Sequence, residues 1–291
     1  MARGRQSAAP GRHGGTGGSR GTPEWFNASA AVDLPMPSST SVLVHAVFEL
    51  GAYLTGFALS RRAWKRETRP FASREGSGWI AVAAILGAAL GSKLLFLLQV
   101  PDFVAARFPS PESILGGKTI VGGLLGGMAG VEIAKARLGV TDSTGDLFTF
   151  PVIWGLVIGR IGCLLAGLGD ETFGRPTSLP WAWDFGDGVP RHPTPLYEVA
   201  FLVALAAVLH RIRPRLLNAG DTFRIFLAAY LAFRFFVDFL KPPFGEVASA
   251  AEAALPRARL TLGLTAIQIA CLLGILYDAS VFLRRARRPV P

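Results

Sequence analysis

Two arginines stand where so apolar a chain should carry no charge. Arg160 lies in "VIGRIGCLLAGLGDETFGRPT", with Gly159 and Gly162 on either side and the acids Asp170 and Glu171 shortly after; Arg234 lies in "AAYLAFRFFVDFLKPP". An arginine near the centre of a bilayer costs on the order of 3 kcal/mol on insertion scales, so such residues face a bundle interior, find a partner and mark a polar path or site. Arg234 and Asp238 are spaced to pair on one helix face, and Tyr230 sits one turn earlier on the same face. Lys241 follows at the end of the run, where its stem can snorkel to the interface. Arg160 has no acid inside its own apolar run, so its partner must come from another helix or from a ligand. A guanidinium is a planar fork that suits phosphate. Two of them in one apolar bundle suit a phospholipid headgroup; two separate structural ion pairs are the alternative.

Histidines supply candidate bases. His45 and Glu49 form another i, i+4 pair, and His192 is held between two prolines in "PRHPTPLYE". Imidazole is the side chain best suited to general base work near neutral pH. A histidine at a helix end is more often structural, and one in a loop more often solvated. Glu198, just inside the helix after that loop, also fits as a favourable first-turn acid. "WAWDFGDG" reads as a short hairpin or re-entrant loop with interfacial tryptophans. Cys163 and Cys271 have neither metal-ligand spacing nor a disulfide pattern and read as small buried residues.

The elements that must position these side chains are membrane helices. Of 291 residues 51% are apolar and only 17% charged, with the charges clustered between long uncharged stretches. That is how a polytopic membrane protein reads. The net charge of +10 does not indicate nucleic acid, because the basic residues lie between hydrophobic runs and not along one aromatic-interleaved face; topology and anionic headgroups account for it. The fold class is all-α, with seven predicted spans at 42–60, 79–98, 119–135, 150–167, 196–212, 223–240 and 263–283. The third is rich in glycine (Gly122, Gly123, Gly126, Gly127, Gly130), a composition that lets helix backbones approach closely. Residues 1–41 form a predicted disordered tail without the apolar core of a signal peptide, 42–283 the membrane domain, and 284–291 a basic tail. Arg61, Arg62, Lys65, Arg66, Arg69 and Arg74, then Lys135 and Arg137, then Arg211, Arg213 and Arg215, and finally Arg284, Arg285, Arg287 and Arg288 fall on one side of a seven-span chain. By the positive-inside rule the N-terminus is outside and the C-terminus cytoplasmic.

The segments "GRIGCLLAGLGDETFGRPT", "LPWAWDF", "PRHPTPLYE", "YLAFRFFVDFLK" and "LGLTAIQ" occur in the order found in the prolipoprotein diacylglyceryl transferases, and most of 42–283 resembles that family. The resemblance implies a multi-pass protein of the bacterial inner membrane that moves the diacylglyceryl group of phosphatidylglycerol to the lipobox cysteine of a prolipoprotein signal peptide, forming a thioether and releasing glycerol phosphate. It implies no metal and no soluble cofactor; the partners are phosphatidylglycerol, prolipoprotein signal peptides and membrane lipids, with no nucleic acid. Arg160 matches the arginine of "GR-G-N" and Arg234 that of "Y---R---E", and these are implied to hold and polarise the lipid phosphate. Glu171, Gly174 and His192 match the glutamate and glycine of "E--GRPT" and the histidine of "RHP". The implied catalytic set is therefore Arg160, Arg234, His192 and Glu171, with Tyr230, Asp238, Gly159, Gly162, Gly174, Lys241 and His45 around the substrate. The departures fall on the thiol-activating part. Val121 stands at the histidine of the family's "HGG", Cys163 at its signature asparagine, Asp238 at a glutamate and Lys241 at an arginine. A replacement base is expected, His192 first, then His45 or Glu171; a non-catalytic lipid-binding or lipoprotein-handling protein is the alternative.

Overall fold

The computed structural model describes residues 39–66, 74–100, 117–170, 172–216, 218–242 and 263–286. Within them run seven α-helices: α1 Ser39–Arg66, α2 Arg74–Gln99, α3 Ile120–Leu138, α4 Gly145–Ala166, α5 Thr194–Ile212, α6 Asp221–Val237 and α7 Ala266–Ala286. Each predicted span coincides with one helix. The first is longer than expected and takes in the last residues assigned to the tail; the rest of that tail lies outside the described residues, as does most of the basic C-terminal tail. α4 starts before the predicted span and carries Pro151 inside it. Five of the helices (α1, α2, α4, α5 and α7) are long and apolar enough to cross a membrane. α3 is charged at its C-terminal end by Glu132, Lys135 and Arg137, and α6 has 17 residues.

The helices pack in antiparallel pairs. α3 lies along α2 with their glycines interleaved: a Cβ on Gly126 would run into the Gly87 carbonyl, one on Gly122 into that of Gly91, and one on Gly130 into that of Ala83. Small residues at this spacing allow backbones to touch. α1 lies along α4 in the same sense. Ser41 donates to the Ala166 carbonyl, a Cβ on Gly162 would strike Phe48, and one on Gly56 would meet the Pro151 carbonyl at 3.7 Å. α6 and α7 are joined at both ends, through Arg224 and Asp278 (2.8 Å) and through Asp238 and Thr265.

The core lies among α4, α5, α6 and α7 and includes Ile153, Leu202, Leu209, Phe226, Leu227, Leu231 and Cys271, with Val121 of α3. The outer faces are apolar instead of polar. On α1, Val42, Leu43, Val47, Leu50, Leu54 and Phe57 are exposed, as suits a helix bathed in hydrocarbon. Between α4 and α5 a small hairpin forms as predicted, β1 Trp183–Asp184 pairing antiparallel with β2 Pro190–Arg191.

Candidate active site

The polar side chains of the core meet at one end of the bundle, and Glu198 is their centre. It sits in the first turns of α5 and is 1% exposed. Oε1 lies 3.1 Å from Arg160 Nε of α4 and accepts a 2.6 Å bond from the Tyr230 hydroxyl of α6; Oε2 accepts from Arg234 Nη1 at 3.1 Å. The two arginines expected to converge do so, on a shared carboxylate. Arg234 does not pair with Asp238: Glu198 takes the guanidinium, while Asp238, opening the 3-10 turn that closes α6, accepts from Thr265 of α7. Two guanidiniums against one carboxylate leave one positive charge, and the buried residues Asp238 and Lys241 add one charge of each sign. Arg234 Nε is buried without a hydrogen-bond acceptor. Taken together, the cluster is a buried, cationic group of side chains with a donor to spare, which favours a monoanion.

A second group of side chains continues from Arg160. Its Nη1 donates to Cys163 Sγ at 3.4 Å, one turn on. Cys163 Sγ, a ring nitrogen of His45 and an oxygen of Asp170 lie within 4.8 Å of one another. His45 Nδ1 stands 2.6 Å from Asp170 Oδ1, and its Nε2 stands 3.7 Å from Glu49 Oε2. Asp170 also accepts from the Thr172 hydroxyl at 2.7 Å, and Glu49 from Tyr53 at 2.7 Å and from Lys118. α1 reaches this position because Gly162 admits Phe48 against α4. Gly159 faces the same helix, with Ala52 Cβ 4.0 Å from where its own Cβ would be.

His192 lies elsewhere in the loop. Its ring is part-buried, with Nδ1 3.1 Å from the Tyr197 hydroxyl. Its backbone clasps the strand-like segment opposite: Gly174 N donates to the His192 carbonyl at 2.9 Å, and His192 N to that of Arg175 at 3.0 Å. Gly174 is needed for that approach, since a Cβ there would come within 2.7 Å of His192 Cβ. Lys241 is 5% exposed and so does not snorkel; the Arg175 side chain bonds its carbonyl at 3.2 Å and draws it into the loop. Glu171 lies outside the described residues. Val121 is packed into the core at 1% exposure, and the two cysteines are free and buried as expected.

Glu198 and Asp170 are the site residues that the sequence alone brought into view without assigning them a catalytic or binding role. A usable signal was present: two intramembrane arginines require an acid, and Glu198 is one of the acids, with Glu49, Glu132 and Asp278, within apolar runs on other helices.

Residues 34–284 match the profile of the family described as prolipoprotein diacylglyceryl transferase. Among curated relatives, the chain is 34% identical over 210 residues to the phosphatidylglycerol–prolipoprotein diacylglyceryl transferase of Solidesulfovibrio magneticus, covering 66% of this chain and 75% of that protein. It is 37% identical to the protein of the same name from Bordetella parapertussis, covering 66% and 76%, and 33% identical to that of Vibrio vulnificus, covering 66% and 73%. No solved structure matches.

Proposed function

Because the chain belongs to the prolipoprotein diacylglyceryl transferase family, we propose that it transfers the diacylglyceryl group of phosphatidylglycerol to the lipobox cysteine of prolipoprotein signal peptides, as a seven-span protein of the bacterial inner membrane with its N-terminus outside. The observation that carries this reading is the Arg160–Glu198–Arg234 cluster. Its single uncompensated positive charge matches the single negative charge of a phosphodiester. Glu198 holds both forks in place before the lipid arrives, so the donors are pre-organised toward the charge that grows on the phosphate as glycerol phosphate leaves. Tyr230, bonded to the same carboxylate, completes that support.

Attack by a thiol on the glycerol carbon forms the C–S bond and breaks the C–O bond to phosphate. The thiol must first lose its proton. We place that activation at the His45 end of the cluster and not at His192. Asp170 backs His45, and Cys163 and Arg160 connect it to the phosphate-binding arginines, whereas His192 is turned to Tyr197.

The test is an assay of the purified protein with phosphatidylglycerol and a lipobox peptide. Thioether product and free glycerol phosphate, both lost in Arg160→Ala, are expected. Lipid binding without product across several peptides would convert the reading to a non-catalytic lipid-binding member of the family.

A further inference from the structure

We propose that His45, Cys163 and Asp170 form a zinc site whose open fourth position takes the acceptor thiol. The donor set is one imidazole, one thiolate and one carboxylate, a combination of soft and borderline ligands that suits Zn²⁺ and the three-ligand pattern of catalytic sites. The three donor atoms already lie within 4.8 Å of one another. Tetrahedral zinc with bonds of about 2.0–2.3 Å separates its ligands by roughly 3.3–3.6 Å, so the His45 and Asp170 atoms would part by less than an ångström from their present 2.6 Å. His45 Nδ1 is buried and is already paired with the Asp170 carboxylate, so two of the three donors face each other.

Each ligand also has a partner outside the three. Glu49 faces His45 Nε2, Thr172 donates to the second oxygen of Asp170, and Arg160 donates to Cys163 Sγ. Carboxylate–histidine–metal relays and hydrogen bonds to ligating groups are what orient and tune such sites. Other charges near the site are Lys118, on Glu49, and Glu198, on Arg160. Zn²⁺ with one thiolate and one carboxylate is neutral, so the metal adds no net charge beside the arginines.

The same assignment accounts for two departures from the resembled family: the base at the Val121 position is gone, and a thiol stands where that family has asparagine. A metal-bound thiol is deprotonated outright, so no separate base is needed. On binding, the acceptor R–SH gives its proton to water and coordinates as R–S⁻. The sulfur then attacks the glycerol carbon, and the C–O bond electrons leave with glycerol phosphate, which gains the second negative charge. His45 keeps 40% of its side chain exposed, which leaves a side open for the peptide.

The acceptor part of this inference rests on the proposed transfer activity; the metal part does not. The test uses the full chain in detergent, stripped by chelator and titrated with Co²⁺ and then Zn²⁺. About one equivalent should bind, with the visible bands of tetrahedral cobalt and a thiolate charge-transfer band. The band should vanish in Cys163→Ser and persist in Cys271→Ser, and Glu49→Gln should weaken zinc binding about 10–100-fold. Cys163→Asn restores the family's residue and guards against misfolding; it should keep the helical circular dichroism and lose the metal. A lipobox peptide should intensify the charge-transfer band, and the same peptide with serine for cysteine should not. A folded protein that binds no cobalt or zinc, or transfer that runs undiminished in chelator, overturns the zinc site while leaving the transferase reading intact. Metal binding and peptide response without thioether product would instead uphold the site and remove the transferase reading.

Discussion

Glu198 holds together what would otherwise be two repelling buried cations. Removing one partner of a buried ion pair leaves the other charge uncompensated, at a cost of about 3–5 kcal/mol. Glu198→Gln should therefore lower the thermal unfolding temperature in detergent clearly, as well as impairing turnover. Full stability in that variant would mean the arginines find another acid. Arg234→Lys is the complementary change. It keeps the charge but replaces the fork that spans Glu198 and the proposed phosphate, so kcat/KM should fall by tenfold or more, or about 1.4 kcal/mol of transition-state stabilisation, with a smaller stability change than for Glu198→Gln. The sequence disclosed the arginines because a charge in an apolar run is costly wherever it lies. It concealed Glu198 because an acid in a first helical turn already has a local explanation. His45 and His192 show the same limit: both had local neighbours of the right type, and only the packing of α1 against α4 brought one of them to Arg160.

At the scale of elements, the glycine ridge between α2 and α3 fixes how closely two helices approach. Gly126→Val would push a branched side chain into the Gly87 carbonyl, an overpacking that typically costs about 1–3 kcal/mol. Gly159→Ala meets nothing nearer than Ala52 Cβ at 4.0 Å and should be tolerated; equal loss of thermal stability in both variants would argue against the ridge. The hairpin has its own signature. Arg191 bonds Asp187 with both Nη atoms, at 2.6 Å and 2.8 Å, and those hydrogen bonds hold the Asp187 carboxyl below the ordinary carboxylate range. A depressed carboxylate contributes stability above its unfolded pKa and loses it as pH falls through the folded one. Acidification below the ordinary carboxylate range should thus loosen 183–191, detectable as faster proteolysis there at low pH; Asp187→Asn should reduce that pH dependence, and the remainder should come from Asp184, whose carboxylate the backbone N–H groups of Gly186, Asp187 and Gly188 also hold below the ordinary range. Periodicity and length made all seven helices legible. The boundaries shifted where a local rule misled, as at Pro151, which the bundle holds inside α4 although it removes a helix hydrogen bond.

At the scale of the whole molecule, the polar contacts divide by end. Glu49, Lys118, Arg160, Asp170, Glu198, Arg234 and Thr265 meet at one end; Asp146, bonded to Gly220 N at 2.7 Å, and the Arg224–Asp278 pair are at the other. Successive helices alternate direction, and α3 lies antiparallel along α2 from Gly122 to Gly130. A helix so paired with a membrane-crossing neighbour shares its depth, which supports counting α3 as a span despite the charges near its C-terminus. α6 is tied to α7 near both of its ends, which supports counting it too. The proposed seven crossings put the two termini on opposite sides. In the proposed orientation, set by the positive-inside rule, the loops after α1, α3 and α5 and the C-terminal tail lie on the cytoplasmic side, and the site end lies outward, within reach of a signal peptide's cysteine. Both native cysteines are buried, so an impermeant maleimide reports on introduced ones. A cysteine at Ser38 or Asp184 should label in intact cells, and one at Asp142 or Asn218 only after the membrane is broken. Labelling of Asp142 and Ser38 from the same side would take α3 out of the membrane and with it the seven-span arrangement.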